Sequence, residues 1–146
     1  MVYFRDFVAA DVVAIDVQDS QVDALGVFTV VRDLEHGRQL EASGPAWTAI
    51  GDDGRVLVCA GLGTIFPGHA VLWALLTRNI GAAHVAITRF ARARIAAAGC
   101  ARIEAIVRAD VEAEGRWATL VGLSAAHVLR KWGPLATPHV LYERIG

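Results

Sequence analysis

The chain has 146 residues, a length that fits a single domain. Apolar residues make up 55% of it and charged residues only 20%, so it can bury a substantial core, which excludes a largely disordered protein. A formal net charge of −1 argues against a dedicated nucleic-acid-binding protein, because such proteins usually carry a basic excess.

The cysteine content and the hydropathy of the chain narrow the class of protein further. Cys59 and Cys100 are too few for a disulfide framework and lack the spacing of metal ligands, so we expect reduced core thiols and a cytoplasmic protein. Residues 56–77 contain no Asp, Glu, Lys or Arg and could span a bilayer by length. Several glycines and Pro67 interrupt this run, which favours a buried β-hairpin over a membrane helix. No secretory signal is recognisable at the N-terminus.

The first half of the chain predicts two helices and four strands. A strand is expected at 2–7, and Asp11 is expected as the N-cap of a short helix. A second helix is predicted between Phe28 and Ala42, and Gly44-Pro45 would end it. Three strands of a meander follow at 46–50, 55–60 and 70–77, the first two joined by a turn at 52–54.

The second half alternates helices and strands. A long helix is predicted at 82–98 with Gly99 as its C-cap, then a strand at 102–108 and a helix at 112–120. Two further strands are expected at 126–132 and 139–145. The order β-α-α-β-β-β-α-β-α-β-β predicts one α/β (α+β) domain over 1–146. We expect a single mixed, mostly antiparallel sheet of six or seven strands with helices on both faces.

The most informative motif lies where the meander meets the long helix. Arg78-Asn79-Ile80-Gly81-Ala82-Ala83 follows the apolar run Val71–Leu76 and begins the helix. The first N–H groups of a helix have no partner within it, and the helix dipole adds partial positive charge there. A strand, a glycine turn and a helix start therefore predict an anion site.

The spacing Arg78-x-x-Gly81-x-Ala83 resembles the acyl-CoA pyrophosphate loop of the GNAT (GCN5-related N-acetyltransferase) superfamily, whose usual form is Gln/Arg-x-x-Gly-x-Gly/Ala. The predicted order of elements is also that of the superfamily. Gly115-Arg116-Trp117-Ala118 with Gly122-Leu123 is similar to the family's last helix and its Leu-Gly-Phe end. The Arg-Trp-Ala signal and the segment Leu141 to Arg144 also resemble small GNAT-like proteins encoded by tailed phages and prophages.

The resemblance implies acetyl-CoA or CoA as cofactor. Backbone amides of Ile80, Gly81, Ala82 and Ala83 would surround the pyrophosphate, with Gly81 allowing a close approach of the backbone. The strand edge formed by Leu75, Leu76 and Thr77 would hydrogen-bond the pantetheine arm like an added strand. Arg78 or Arg89 would contact a CoA phosphate, although Arg89 also fits a solvated helix face.

The resemblance also implies a base on the central strands, for which Glu104 is the first candidate and His69 the second. A half-buried glutamate suits a base that must deprotonate an ammonium substrate. The alternative is that Glu104 only forms an ion pair, with Arg102, Arg108 or a neighbouring strand.

One expected catalytic group is missing from the sequence. GNAT enzymes often carry a tyrosine in the last helix that protonates the leaving thiolate, and Ala118 stands at that position. Alanine cannot donate a proton. Tyr3 and Tyr142 fit ordinary strand residues. No metal-ligand spacing, serine elbow or nucleophilic cysteine is visible.

Two functions follow from these residues. One is an acetyl-CoA-dependent N-acyltransferase with a small-molecule or protein amine as acceptor, its acceptor side formed by 19–32 and 61–69. The other is a catalytically inactive GNAT-fold protein that acts as a phage or prophage structural or assembly component, associated with the virion. Family members often dimerise, which makes a homodimer a candidate assembly, and neither nucleic acid nor membrane is expected as a partner.

Overall fold

The strands and helices follow one another in the order predicted from the sequence. The computed structural model describes residues 1–17 and 32–146. The elements of these ranges are β1 (Tyr3–Asp6), α1 (Asp11–Ala14), α2 (Leu34–Ser43), β2 (Ala46–Ile50), β3 (Val56–Phe66), β4 (His69–Leu76), α3 (Ala83–Ala97), β5 (Arg102–Arg108), α4 (Glu112–Leu120), β6 (Ser124–Trp132) and β7 (Thr137–Ile145). The predicted fold class is confirmed.

All described strands form one sheet in the order β1-β2-β3-β4-β5-β7-β6. Neighbouring strands pair antiparallel except β4 and β5, which are parallel. That parallel pair arises because α3 crosses from the end of β4 back to the start of β5, as a parallel connection requires. The sheet is therefore mixed and mostly antiparallel, with seven strands.

Helices cover both faces of the sheet. On one face, Ile87, Ala91 and Ile95 of α3 pack with alternate residues of the central strands, and Val121 after α4 joins the same cluster. On the other face, Val12 of α1 and Leu40 of α2 pack against Cys59 and Leu75 and their neighbours. Burying two such faces is the main source of stability, at about 25 cal/mol for each Å² of apolar surface removed from water.

The beginning of α1 differs from the prediction. Ala10 occupies the N-cap position, and Asp11 is the first helical residue with only 3% of its surface exposed. Its carboxylate accepts two hydrogen bonds from Arg5 at 2.8 Å, one from Thr48 at 2.7 Å and one from the amide of Val8 at 3.0 Å. Asp11 is thus a buried partner of two strands, because the sheet supplies donors that a local helix signal cannot show.

The end of β3 and the start of α2 also differ from the prediction. β3 continues to Phe66 rather than ending near residue 60, because Gly61 and Gly63 pair with Trp73 and Val71 of β4. The turn between β3 and β4 lies at Pro67-Gly68, so the hairpin predicted in place of a membrane helix is confirmed. α2 begins at Leu34 with Asp33 as its N-cap, and the earlier part of that predicted helix, 28–31, lies outside the described residues.

None of the helices in the described ranges is both long and apolar enough to cross a membrane.

Candidate functional site

The parallel strands β4 and β5 separate partway along their length. Their pairing covers three residue pairs, from His69 with Arg102 to Val71 with Glu104. β4 continues along β3 as far as Leu76, and β5 follows β7 over its whole length. We call the opening between residues 72–76 of β4 and 105–108 of β5 the fork. Because β4 leads into α3 and β5 leads into α4, both helices begin at the open end of the fork.

The loop at the open end of the fork has the geometry of an anion site. Asn79 and Gly81 have positive φ values of 57° and 61°, and Ala82 returns to the right-handed region with φ −63° and ψ −22°. Neighbouring residues of left-handed and right-handed conformation are typical of backbone concavities that bind anions. Within the described ranges, the amides of Gly81 and Ala82 donate to no other residue.

The space beside Gly81 is open. A β-carbon built on Gly81 would meet no atom of the described residues within 4 Å, so glycine is favoured here by its positive φ and not by crowding from those residues. The loop fits the pyrophosphate role that the sequence predicted for it, and this assignment stays a prediction.

The two residues before the loop hold the segment that follows α1. Thr77 is fully buried, and its hydroxyl donates a 2.8 Å hydrogen bond to the backbone oxygen of Asp16. Arg78 Nε donates to the backbone oxygen of Val17 at 3.2 Å and lies 3.6 Å from the Asp16 carboxylate. The Arg78 side chain, predicted to contact a phosphate, is thus already engaged with a neighbouring segment.

The remaining predicted cofactor residues lie on β4. The side chain of Leu75 is buried in the core on the α1 and α2 face, and Leu76 is half-buried. Their predicted role concerns backbone groups, of which the Thr77 amide donates a 2.8 Å hydrogen bond to the backbone oxygen of Leu57 in β3, and Val17 forms an isolated antiparallel bridge with Thr77. Arg89 is exposed on α3, whereas Arg92 donates a 2.7 Å hydrogen bond to the backbone oxygen of Leu120 and so links α3 to α4.

The two predicted catalytic residues lie together at the closed end of the fork. His69 Nε2 is 3.3 Å from Glu104 Oε2, although the angles do not form a hydrogen bond, and both side chains are half-buried. Arg102 donates to Glu104 from Nε at 2.8 Å and to Glu143 from Nη1. These hydrogen bonds, to Glu104 first and Glu143 second, raise the pKa of Arg102. The alternative ion pair of Glu104 with Arg102 is therefore present.

Sequence reasoning missed Glu143 as a member of this cluster. Arg102 and Glu104 are two apart on one strand, a spacing that puts them on the same face. Glu143 joins them only because β7, the last strand, pairs with β5 in the register that sets Glu143 opposite Glu104. No local signal in the sequence carries that register.

Ala118, which stands at the position of the expected tyrosine, is buried in the core. Ala118 is 2% exposed in α4, and the preceding Trp117 donates a 3.1 Å hydrogen bond from Nε1 to Thr88 Oγ1 of α3. Tyr3 is 58% exposed at the edge strand β1, far along the sheet from the fork. Tyr142 lies under α4, where its hydroxyl oxygen would be 2.6 Å from a β-carbon on Gly115.

A crevice of about 460 Å³ lies beside α4, and its lining shares Val107 and Arg108 of β5 with the fork. Its walls include Gly115 and Thr119 of α4, and its floor includes Val140 and Tyr142 of β7. Trp117 points from the same helix toward α3, so the crevice is on the side of α4 that faces away from α3. The fork is the feature that joins the predicted cofactor and catalytic residues.

Cys59 is a buried thiol, and the described ranges also bear on the placement of metal-binding side chains. Burial raises the pKa of the Cys59 thiol to about 12, which keeps it protonated near neutral pH. No group of three or more His, Cys, Asp or Glu side chains in those ranges is placed to hold a metal ion.

Comparisons with known proteins assign the fold. No family model matches the sequence, and no curated protein matches it significantly. Solved structures match over nearly the whole chain. A ribosomal-protein-alanine N-acetyltransferase from Brucella melitensis is 18% identical, with 99% of each chain covered and a TM-score of 0.74. Ard1 from Thermoplasma volcanium is 15% identical, with 99% of this chain and 97% of that chain covered and a TM-score of 0.75.

A third structure was solved with a ligand. The GNAT superfamily phosphinothricin acetyltransferase from Sinorhizobium meliloti, in complex with acetyl-CoA, is 13% identical and covers 99% of this chain and 88% of its own, with a TM-score of 0.69. At these identities the likeness shows the fold alone. The chain has the GNAT fold, as the motif and the order of elements predicted.

Proposed function

We propose that the protein is an acetyl-CoA-dependent N-acetyltransferase that acts on an amine acceptor. The observation that carries the proposal is the fork between β4 and β5, with the Gly81 loop at its open end. A thioester held along the fork and a pyrophosphate held by the loop would use both features at once. The structural neighbours named as acetyltransferases, one of them solved with acetyl-CoA, support this proposal.

The residues of the loop and of β4 fit the cofactor. The amides of Ile80, Gly81, Ala82 and Ala83 would bind the pyrophosphate, because the open space beside Gly81 lets an anion approach them. The backbone of the strand edge at Leu75, Leu76 and Thr77 would bind the pantetheine arm by strand-like hydrogen bonds. Bound acetyl-CoA would supply a thioester: the amine nitrogen would form the new bond to the acetyl carbon, the carbon–sulfur bond would break, and the second proton of the nitrogen would pass through water to the leaving thiolate.

Glu104 is the base in this proposal. Its carboxylate accepts a proton from the acceptor ammonium and so exposes the nitrogen lone pair that attacks the thioester. His69, whose Nε2 lies 3.3 Å from Glu104 Oε2, would accept that proton next. Arg102 positions Glu104 through the 2.8 Å hydrogen bond and is not itself a reacting group.

The competing proposal is a GNAT-fold protein without catalysis, and Ala118 is the residue that favours it. With alanine buried at the position of the family's tyrosine, α4 offers no proton donor there. In the proposed enzyme water takes that role. The likeness to phage-encoded proteins, and with it a virion partner, stays a prediction.

Calorimetric titration with acetyl-CoA and, separately, with CoA tests the proposal. We expect micromolar binding, followed by amine-dependent release of free thiol when amines are screened with the thiol reagent DTNB. Binding without turnover for any amine would favour the inactive alternative. No binding at millimolar ligand would overturn the cofactor site itself.

A further inference from the structure

Asp16 and Val17, which follow α1, lie against the end of β4, and we call these two residues the strap. Val17 forms an isolated antiparallel bridge with Thr77. The backbone oxygen of Asp16 accepts two hydrogen bonds, one from the Thr77 hydroxyl at 2.8 Å and one from the Arg78 amide at 3.3 Å. The strap is thus paired with the end of β4 like a short additional strand.

The strap lies on the side of β4 that faces the fork. The Thr77 amide points the other way, toward β3, where it donates a 2.8 Å hydrogen bond to the backbone oxygen of Leu57. Successive residues of a strand direct their amides to opposite edges, so the Arg78 amide, which binds Asp16, points away from β3. That edge is the β5 side, because β4 lies between β3 and β5 in the sheet. The strap therefore occupies the edge at Thr77 that the pantetheine arm would use in the proposed function.

The strap also contacts the first side chain of the anion loop. Arg78 Nε donates a 3.2 Å hydrogen bond to the backbone oxygen of Val17 and lies 3.6 Å from the Asp16 carboxylate. Asp16 is thus an internal anion beside the guanidinium that a CoA phosphate would contact in the proposed function.

Val17 is the main anchor of the strap. Its side chain is 2% exposed and packs in the same apolar cluster as Val12 of α1 and Leu75 of β4. Burial of this apolar surface favours the strap in its position on Thr77. The ion pair between Asp16 and Arg78 adds little, because both side chains are largely exposed to water.

We propose that the strap is autoinhibitory: it covers the edge of β4 at Thr77, and acetyl-CoA binds only when the strap leaves this edge. This inference rests on the proposed function. A ligand that binds only a fraction of the molecules has its apparent affinity reduced by that fraction. Fixing the strap on Thr77 should therefore weaken acetyl-CoA binding, and loosening the strap should strengthen it.

A reversible disulfide between the strap and β4 tests the block. Because the Thr77 amide binds β3, Val17 and Thr77 form a non-hydrogen-bonded pair, whose Cα atoms lie about 4.5 Å apart. That distance is within the range that a disulfide spans. We expect Val17→Cys with Thr77→Cys, in a Cys100→Ser background, to bind acetyl-CoA at least about ten-fold more weakly when oxidised than after reduction. Cys100→Ser alone is the control and should bind equally in both states, as measured by equilibrium dialysis.

Variants with a loosened strap test the opposite direction. Val17→Ala removes part of the buried anchor and should strengthen acetyl-CoA binding by about five-fold. Val13→Ala is its control, because Val13 is 58% exposed on α1. Asp16→Asn keeps the backbone contacts and removes the charge beside Arg78, so it should strengthen binding by only about two-fold. Asp52→Asn, at an equally exposed aspartate, should bind like the wild type.

The outcomes separate this inference from the function on which it rests. A wild-type protein that fails to bind acetyl-CoA would overturn both. Wild-type binding with equal affinities of the oxidised and reduced double-cysteine variant would overturn the strap alone. The same holds for a Val17→Ala that binds no more tightly than Val13→Ala. Mass spectrometry establishes that the disulfide has formed, and thermal unfolding shows that each variant is folded.

Discussion

The hydroxyl of Thr77 donates a 2.8 Å hydrogen bond to the backbone oxygen of Asp16, and the amide of Arg78 donates to the same oxygen at 3.3 Å. These bonds connect the segment after α1 to the residues that lead into the anion loop. The loop is thus supported from the opposite face of the sheet, where α1 and α2 pack. The strand end that leads into the loop is thus held by a contact between residues 61 apart in the chain.

Removing the Thr77 hydroxyl should therefore affect both stability and cofactor affinity. Thr77→Val keeps the shape and leaves the Asp16 oxygen with one donor fewer, so we expect a loss of about 1 kcal/mol in the free energy of unfolding. We also expect a few-fold tighter acetyl-CoA binding, measured by calorimetry, because the strap is then held less firmly. Thr119→Val, on the exposed side of α4, is the control. Unchanged stability and affinity in Thr77→Val would show that the contact does not hold the strap.

Gly81→Asp tests the loop, with Gly81→Ala as its matched control. Both variants force a side chain into a positive φ, which costs about 1–2 kcal/mol, and both find open space for it. Only aspartate adds a negative charge at the site of the pyrophosphate. We expect similar melting temperatures and at least about ten-fold weaker acetyl-CoA binding for the aspartate than for the alanine. Equal affinities of the two variants would contradict the loop assignment.

Glu104→Gln tests the base. Loss of a general base lowers the rate by about 10²- to 10⁴-fold, so we expect kcat to fall in this range while the acetyl-CoA Kd stays within about two-fold. Glu143→Gln is the matched control, because Glu143 also binds Arg102 but is not the residue beside His69. A drop in kcat of the same size in both variants would mean that the ion-pair cluster acts only through structure.

Because of Asp11, the free energy of unfolding should decrease as the pH becomes acidic. Burial by itself raises the pKa of a carboxyl, but the hydrogen bonds from Arg5, the Val8 amide and Thr48 outweigh it and lower the pKa of Asp11 below its ordinary value of 3.8. Because this pKa is lowered, the contribution of ionised Asp11 to the free energy of unfolding is fully present above about pH 4. It is lost as the pH falls through the pKa of Asp11 in the folded protein.

Urea unfolding of the wild type and of Asp11→Asn at pH 7 and pH 3 measures how the contribution of Asp11 to the free energy of unfolding depends on pH. We expect Asp11→Asn to lose about 1.5–3 kcal/mol at pH 7, because it weakens hydrogen bonds to a charged group, and less at pH 3. Asp53→Asn, in the exposed turn before β3, is the control. An equal loss at both pH values would contradict the lowered pKa.

The two cysteines should differ in reactivity. Cys59 is fully buried with a pKa raised to about 12, whereas Cys100 is half-exposed after α3. At pH 8 we expect iodoacetamide to modify Cys100 in the folded protein and Cys59 only after unfolding, as read by peptide mass spectrometry. Rapid modification of Cys59 in the folded protein would show that the core around α1 opens readily.

Local sequence signals were sufficient to predict those helices, strands and turns that are determined by contacts between residues close together in the chain. The structure confirms the type and order of the elements that such signals predicted. Examples are α3, predicted from its apolar spacing and from Gly99 at its end, and the hairpin predicted from the turn at 52–54. Asp11 shows the limit of such signals. Its sequence context fits an N-cap, but the donors that hold it come from Arg5 and from Thr48, 37 residues away.

The candidate site likewise combines features that the sequence predicted with features that depend on tertiary contacts. The sequence by itself predicted the Arg78–Ala83 loop, because an apolar strand, a glycine and a helix start follow one another there and the first N–H groups of any helix have no partner within it. The tertiary structure decided the length of the fork, the place of Glu143 beside Arg102, and the pairing of the strap with Thr77. Each of these depends on strand register or helix packing, and such long-range pairings leave no periodic signal in the sequence around any one of the residues.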